Sequence, residues 1–326
     1  MQNLKPQLAN DADLDQVIFP CIVQPKLDGV RAWNPLGQLI GRSMDPFAGH
    51  GITDYFSRPK FLGKDGEMIL GDNPYSTDRL CHLTSGAMGK FKGIDRMANL
   101  HWYVFDYLTQ ETITLPYVTR YEILCDRLNR RTPLDGRIHL MPSELVHNRA
   151  QLDQRILAHL DLGAEGAIIR NPNALPKPGR PTKSGQQLWR FKVWMDAEIL
   201  VTDLIEGEEN RNEAKLNTLG KSERSSAKAG KVPNGQIGSL KGLLLQDIIH
   251  PISKILLLKK GTIVTVGSGE MSVAEATAWF RRPSLILGHI VTFKFMPHGM
   301  KDAPRMPTFK SKRLPQDFEL SSRSRK

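Results

Sequence analysis

The strongest constraint on what this chain can fold into is an abrupt change of texture near Met195–Asp196. Before it, helical and strand-like stretches alternate. Cys21-Ile22-Val23-Gln24 is a short β-rich run ending at Pro25, Leu39-Ile40 follows a Pro-Leu-Gly turn, and His101-Trp102-Tyr103-Val104-Phe105 is enriched in aromatic and β-branched residues. Tyr121, Leu124, Cys125 and Leu128 recur at helical spacing between Thr119 and Asn129. A second helix is expected from Arg149 to Leu162, with Asn148 as its N-cap, Leu152, Ile156, Leu157 and Leu160 buried, and Gly163 as its stop. The strand Gly166–Arg170 follows directly. No strand is followed by a Gly-rich dinucleotide turn, so the class is α/β or α+β and not demonstrably Rossmann.

Beyond the change of texture the chain reads as short strands: Glu198–Ile205, Gly238–Gln246, Ile255–Leu258, Thr262–Val266 and Ile286–Phe295. One short helix, Val273–Phe280 capped by Ser272, precedes the last of them. Such a pattern suits a small closed barrel of the OB-fold kind. The expected domains are therefore residues 1–195 and 196–326. Between the first two strands lies Gly207–Gly235, rich in Lys, Glu, Asn, Ser and Gly and nearly free of bulky apolar residues. A segment so polar cannot bury enough surface to order itself, which predicts a flexible loop.

Composition narrows the partners. With 40% hydrophobic and 24% charged residues the chain is globular rather than disordered. No apolar run is long enough to span a membrane, and the polar stretch Met1–Asn10 lacks a signal-peptide core. Cys21, Cys81 and Cys125 are too scattered for a disulfide framework or a structural zinc site, so a reducing cytosol is expected. A net charge of +11 favours an anionic partner, most commonly nucleic acid, although a merely basic cytosolic protein fits too. Arg211, Lys215, Lys221, Arg224, Lys228 and Lys231 punctuate the expected loop, as in a segment that orders along DNA phosphates; an idle solvated loop is the plain alternative.

Gly220-Lys221-Ser222 ends like a phosphate-binding P-loop, but Lys215 stands where the motif's first glycine belongs. The specific signal is Lys26-Leu27-Asp28-Gly29-Val30-Arg31, immediately after a strand. Taken alone it is also an acceptable charged turn, since Asp-Gly is a common turn pair. A lysine among cations sheds its proton more easily, and a neutral amine can attack phosphorus to form a covalent intermediate. Asp28 would steady the amine, and Gly29 would let the backbone approach a nucleotide.

That hexapeptide resembles the first motif of the covalent nucleotidyltransferases: ATP-dependent DNA ligases, RNA ligases and mRNA-capping guanylyltransferases. Further elements similar to theirs follow in order: Arg42-Ser43, Asp65-Gly66-Glu67, Val104-Phe105-Asp106-Tyr107-Leu108, Glu165-Gly166-Ala167-Ile168-Ile169-Arg170, Trp189-Arg190-Phe191-Lys192, and Arg305-Met306-Pro307-Thr308-Phe309 with Arg313. The resemblance is greatest to compact two-domain ATP-dependent DNA ligases of the bacteriophage type. It implies an α+β nucleotidyltransferase (adenylation) domain of antiparallel sheets with helices, followed by the small OB-fold barrel. It also departs from the usual pattern twice. Gln24 stands where glutamate is common two residues before the nucleophile, and Arg190 stands where lysine is usual.

Residue roles follow from the resemblance. Lys26 would be the nucleophile, and Gln24, Lys26, Arg31, Glu67, Phe105, Arg190 and Lys192 would bind ATP or AMP. Phe105 would stack on adenine, although alone it reads as a core aromatic; Glu67 would accept from a ribose hydroxyl. Glu165 would ligate Mg²⁺, Arg305 would orient pyrophosphate when a short hinge closes the domains, and Arg42, Lys215, Lys221 and Lys228 would contact DNA. The expected protein is a monomeric enzyme that uses ATP and Mg²⁺ to seal nicked double-stranded DNA. It would be cytoplasmic, in the host cytosol if of phage origin, and have no membrane association. An RNA ligase or capping enzyme is the alternative within the class, and a non-catalytic DNA-binding relative the alternative outside it.

Overall fold

In the computed structural model of the chain, residues 5–76, 79–89, 99–129, 136–182, 187–251 and 254–313 are described. They divide into two compact units, Met1–Lys192 with Asn217–Lys221, and Val193–Leu216 with Ser222–Lys326. No helix among the described residues is long and apolar enough to cross a membrane.

The first unit holds two sheets. One has five strands in the order Asn10–Asp11, Leu188–Lys192, Gly166–Arg170, Cys21–Lys26, Glu144–Val146. The other has four, Val30–Trp33, Lys64–Leu70, Leu100–Tyr107 and Ile138–Leu140. The segment Leu27–Gly29 crosses from one sheet to the other, so the hexapeptide beginning at Lys26 is the junction between them. Strand periodicity sorts the side chains. Cys21, Val23, Ala167, Ile169 and Trp189 join Leu152 and Ile156 of the Arg149–Asp161 helix in one core. Ala32, Met68, Leu100, Trp102 and Val104 of the second sheet pack in another core with Phe56 and Leu124. The alternate positions, Gln24, Lys26, Arg170, Arg190 and Lys192 in one sheet and Arg31, Glu67 and Phe105 in the other, are thereby turned to the opposite faces.

The Arg149–Asp161 helix begins as expected, with Asn148 accepting from Gln151 N at 3.0 Å, and the chain passes through positive φ at Gly163. Leu157, expected to be buried, is 58% exposed. The buried stripe runs through positions 152 and 156, and a residue one step further turns about 100° away. Leu39-Ile40 forms no strand of its own; Ile40 makes isolated bridges to Trp33 and Pro46.

The second unit contains a closed barrel of Met195–Asn210, Lys231–Leu244, Ile263–Gly267, Arg305–Lys312 and Ile290–Met296, in that order. Ile199, Leu240, Val266, Val291, Phe293, Phe295 and Phe309 fill it. The helix Val273–Arg281 starts on a capping box between Ser272 and Glu275. The barrel departs from expectation in its fifth strand. Leu256–Leu258 pairs with Ile248–Ile249 in a separate ribbon, and Arg305–Lys312 closes the barrel instead.

The stretch 207–235, expected as a flexible loop, is largely a hairpin. The first two barrel strands continue pairing outward through Glu208↔Pro233, Glu209↔Val232 and Asn210↔Lys231, and Ala214–Leu216 pairs with Ser222–Arg224. Polar composition does not forbid this, because a ribbon that continues an existing ladder needs no core of its own. Its polar side chains supply further bonds: Asn210 Nδ2 donates to Ser225 O, and Asn212 Nδ2 donates to Ser225 O and Ala227 O.

Asp106 is a buried anchor of the first unit. It receives Arg120 Nε and Nη2 at 2.8 and 2.9 Å, and Arg170 Nη1 lies 4.0 Å away. Asp106→Ala would leave two buried guanidinium groups uncompensated. The expected cost is about 3–5 kcal/mol of unfolding free energy, measured by urea denaturation; a loss under about 1 kcal/mol would mean the anchor is dispensable.

Candidate active site

The inner faces of the two sheets bring most of the expected residues together. Lys26 ends its strand opposite Gly166, and Gly166 is in turn opposite Lys192. Glu165, the residue before Gly166, donates its backbone N–H to Lys26 O at 2.9 Å. Its buried carboxylate thus lies between two ammonium groups. Lys26 Nζ pairs with Oε2, and Lys192 Nζ is 2.5 Å from Oε1. Gly166 has no alternative at this register, because a Cβ there would run into the Phe191 carbonyl on the neighbouring strand.

Electrostatics follow from this geometry. Burial alone would raise the Glu165 carboxyl, but Lys26 and Lys192 together bring it down to about 2. Lys192 is lowered, by burial first and then by the neighbouring Lys26 charge. Glu67, expected at the ribose, is the counterpart: burial, helped by the Glu165 and Asp65 charges and opposed by Lys26 and Arg31, pushes it up to about 7. The carboxylate on Lys26 is Glu165, where the sequence suggested Asp28. The adjacent strand already requires glycine at position 29, since a Cβ there would meet the Met68 carbonyl and the Glu67 and Ile69 side chains.

Phe105 is 8% exposed and packs with Leu27, Ile69, Leu80 and Met141. Two guanidinium groups lie near its ring, Arg31 at 5.1 Å and Arg170 at 5.0 Å from the centroid. Arg31 is held in a fork on Asp65, with Nε and Nη2 at 2.9 and 2.5 Å, and donates Nη1 to Gln7 O at 2.6 Å. That fork fixes the guanidinium beside the Phe105 ring. Gln24 is buried, with Tyr117, Ser143 and Arg170 as its partners. Arg190 shares a strand and a face with Lys192, yet its Nε is on Asp11 at 2.7 Å, which holds that carboxyl below its usual range.

Other expected residues lie apart from this cluster. Arg42 is exposed on a tight turn in which Gly41 N donates to Asp45 O at 2.9 Å. Lys215, Lys221 and Lys228 are exposed on the hairpin, Lys215 with Glu213 at 3.6 Å. Arg305 begins the barrel strand Arg305–Lys312 of the second unit. Sequence reasoning missed Tyr117, Ser143 and Asp11. Each acts through a partner distant in sequence, and the only local hint was that Tyr117 opens the helix after the Phe105 strand.

Comparison with known proteins gives the family and the fold. Residues 6–192, more than half of the chain, match the ATP-dependent DNA ligase domain family, and the chain belongs to it. The DNA ligase of African swine fever virus (isolate Warthog/Namibia/Wart80/1980) is 27% identical over 115 residues, 35% of this chain. That match spans about a quarter of the curated relative's own length (27%). Among solved structures, Chlorella virus DNA ligase-adenylate is 22% identical, covering 95% of this chain and 98% of that one with a TM-score of 0.51. A Lig E DNA ligase is 21% identical over 95% of this chain and 99% of its own, with a TM-score of 0.64. The fold is theirs: a nucleotidyltransferase unit and an OB-fold barrel.

The two acidic groups predict opposite pH effects on stability. Glu165 is lowered, so its contribution is complete above pH 4.5 and lost as pH falls toward about 2. Glu67 is raised, so the native state keeps a proton that the unfolded chain releases, and a penalty accrues as pH rises from 4.5 to about 7. Glu67→Gln should therefore raise stability in urea at about pH 7.5 and change it little at about pH 4; equal shifts at both would mean that titration of the carboxyl plays no part.

Proposed function

We propose that the protein seals nicks in duplex DNA through a covalent lysyl-AMP. The observation that carries this reading is the Lys26–Glu165–Lys192 charge chain, within a chain of the ATP-dependent DNA ligase domain family. The Lys26 ammonium gives up a proton to solvent and the neutral amine attacks the α-phosphorus of ATP; the P–N bond forms, the P–O bond to the β-phosphate breaks, pyrophosphate leaves, and the second nitrogen proton passes to water. The 5′-phosphate at the nick then displaces lysine, and the 3′-hydroxyl finally displaces AMP. Each step is an in-line displacement at phosphorus, so positioning and charge neutralisation dominate.

The chain's own groups suit those tasks. Glu165, at about 2, is too weak a base to take the Lys26 proton and instead aims the amine. Lys192 on its other oxygen is placed to meet the α-phosphate, with Arg190 on the same strand. Glu67 would accept from the ribose, Phe105 would stack on adenine, and Arg31, fixed by Asp65, would stiffen the wall behind that ring.

The Glu165 charge is close enough to raise Glu67, and the two carboxyls offer hard oxygen donors of the kind Mg²⁺ takes. No group of three or more His, Cys, Asp or Glu among the described residues is arranged as a metal cage, consistent with an ion that keeps waters and phosphate oxygens. When bound, Mg²⁺ supplies charge neutralisation at the transferring phosphate. Arg305 would orient pyrophosphate, and Arg42 would contact DNA phosphates. Cys21, Cys81 and Cys125 form no disulfides, and the setting proposed for the protein is the cytosol.

Lys26→Ala should give no AMP adduct in intact mass after incubation with ATP and Mg²⁺. It should retain much of the sealing of a pre-adenylylated nick, a step that needs no lysine nucleophile. An adduct on the variant would disqualify Lys26. Wild-type protein that sealed only RNA, or took up only GMP, would favour the RNA-ligase or capping alternative.

The hairpin cations generate a separate test. Their ion pairs are exposed and worth little, so phosphates can replace the glutamates. Substituting Ala for Lys215, Lys221 and Lys228 together should flatten the slope of log K against log salt for nicked DNA, by about 0.9 for each phosphate that is no longer neutralised. An unchanged slope would make the hairpin an idle extension.

A further inference from the structure

We propose that His101 and His139 form a binding site for one divalent transition-metal ion of tetragonal preference, Cu²⁺ or Ni²⁺, which staples the edge strand Ile138–Leu140 to the strand Leu100–Tyr107.

The strand register brings the two imidazoles together. Tyr103 stands directly opposite His139, and His101, two residues earlier, shares the Tyr103 face by alternation. The His139 ring stacks on Tyr103, with centroids 4.7 Å apart and planes at 19°. Its Nε2 lies 2.9 Å from His101 Nδ1, a gap with room for a single hydrogen. Asp72 decides which ring supplies it. The Asp72 Oδ1 is 3.3 Å from His101 Nε2, and an ionised carboxylate only accepts. A neutral His101 therefore carries its hydrogen on Nε2 and turns a bare lone pair on Nδ1 toward His139. Burial first, and then the His101 charge, hold His139 below the usual imidazole range, which favours its neutral form too. With its own hydrogen moved to Nδ1, His139 offers a second lone pair into the same gap.

The spacing points to the class of ion. Metal–imidazole bonds of about 2.0–2.1 Å set two nitrogens about 2.9 Å apart at a right angle, and about 3.3 Å apart at the tetrahedral angle. The observed 2.9 Å is that of neighbouring corners of a square-planar or tetragonal ion, the geometry of Cu²⁺ and Ni²⁺. A hard ion such as Mg²⁺ takes oxygen donors and leaves two imidazoles alone. Asp72 behind His101 repeats the carboxylate–histidine–metal arrangement, in which the carboxylate orients the ring and raises its basicity. No group of three or more His, Cys, Asp or Glu among the described residues forms a cage, so the two rings are the protein ligands and water fills the other corners. Ile138–Leu140 is a three-residue strand at the edge of its sheet, and the ion adds a second link between it and its neighbour.

The test is calorimetric titration of the untagged full chain with NiCl₂ and, separately, CuCl₂ at neutral pH. Asp72→Asn removes a charge that touches no ion, and should weaken binding about tenfold. His101→Ala and His139→Ala should each weaken it further, whereas His147→Ala, at an exposed ring elsewhere, should leave it unchanged. Ni²⁺ should raise the urea midpoint of the wild type and not that of His139→Ala. Paramagnetic resonance of bound Cu²⁺ should show coupling to two nitrogens. Should the histidine variants fail to unfold cooperatively, Asp72→Asn, at a fully exposed carboxylate, still carries the test. A wild type that takes up neither ion, or an affinity indifferent to both rings, overturns the site. So does an affinity unmoved in Asp72→Asn, or coupling to a single nitrogen. No nucleotide or DNA is present, so the outcome is independent of the nucleotidyl-transfer reading.

Discussion

A buried carboxylate between two ammonium groups is the interaction around which the first unit is arranged. Glu165 is 2% exposed, and an isolated charge so placed would be expensive. Lys26 and Lys192 offset that expense only if three strand ends stay in register, Lys26 opposite Gly166 and Gly166 opposite Lys192. Register in turn depends on Gly166, whose missing side chain admits the Phe191 carbonyl. A one-residue slip would turn Gln24 and Lys26 into the apolar core and bring Val23 out of it. The chemistry of the site and the pairing of the sheet are thus one constraint.

The second sheet is bound to the same constraint through the junction Leu27–Gly29. A side chain at Gly29 would strike the Lys64–Leu70 strand, so the glycine lets the second sheet begin directly after the lysine. Glu67 and Phe105 then face inward by simple alternation, while their neighbours Met68 and Val104 enter a core. Beneath them Asp106 and Arg120 hold the Leu100–Tyr107 strand to the helix Tyr117–Asn129. That helix also carries Tyr117, which connects the ring of Phe105 with the amide of Gln24.

How much of this was legible in the sequence depended on the range of each interaction. Lys26, Glu67, Phe105, Glu165 and Lys192 were legible through their resemblance to nucleotidyltransferase motifs, and each lies on or beside a short strand whose alternation fixes its face. The Arg149–Asp161 helix was legible from its cap and stop, and the barrel from its run of short strands. The fifth barrel strand was not, because Arg305–Lys312 carries polar and basic residues at alternate positions and Pro307 within, whereas Ile255–Leu258 is apolar and reads as a core strand. The hairpin was hidden for a related reason: it borrows order from the ladder it continues. Tyr117 and Ser143 were hidden because their hydroxyls matter only through Gln24, 93 and 119 residues away.

The amide at position 24 also bears on the charge of the pocket. Lys26, Lys192, Arg31 and Arg170 are cationic, while Glu165, Asp65 and Asp106 are committed to them or to Arg120. Glu67, raised to about 7, is only partly ionised at neutral pH. A carboxylate at position 24 would pair with Arg170 and cancel one of these charges. The neutral amide binds the same guanidinium without cancelling it, and the hydroxyls of Tyr117 and Ser143 take up its two hydrogens. The cluster therefore keeps a greater positive potential than a carboxylate at position 24 would leave it, a field that favours an anionic ligand.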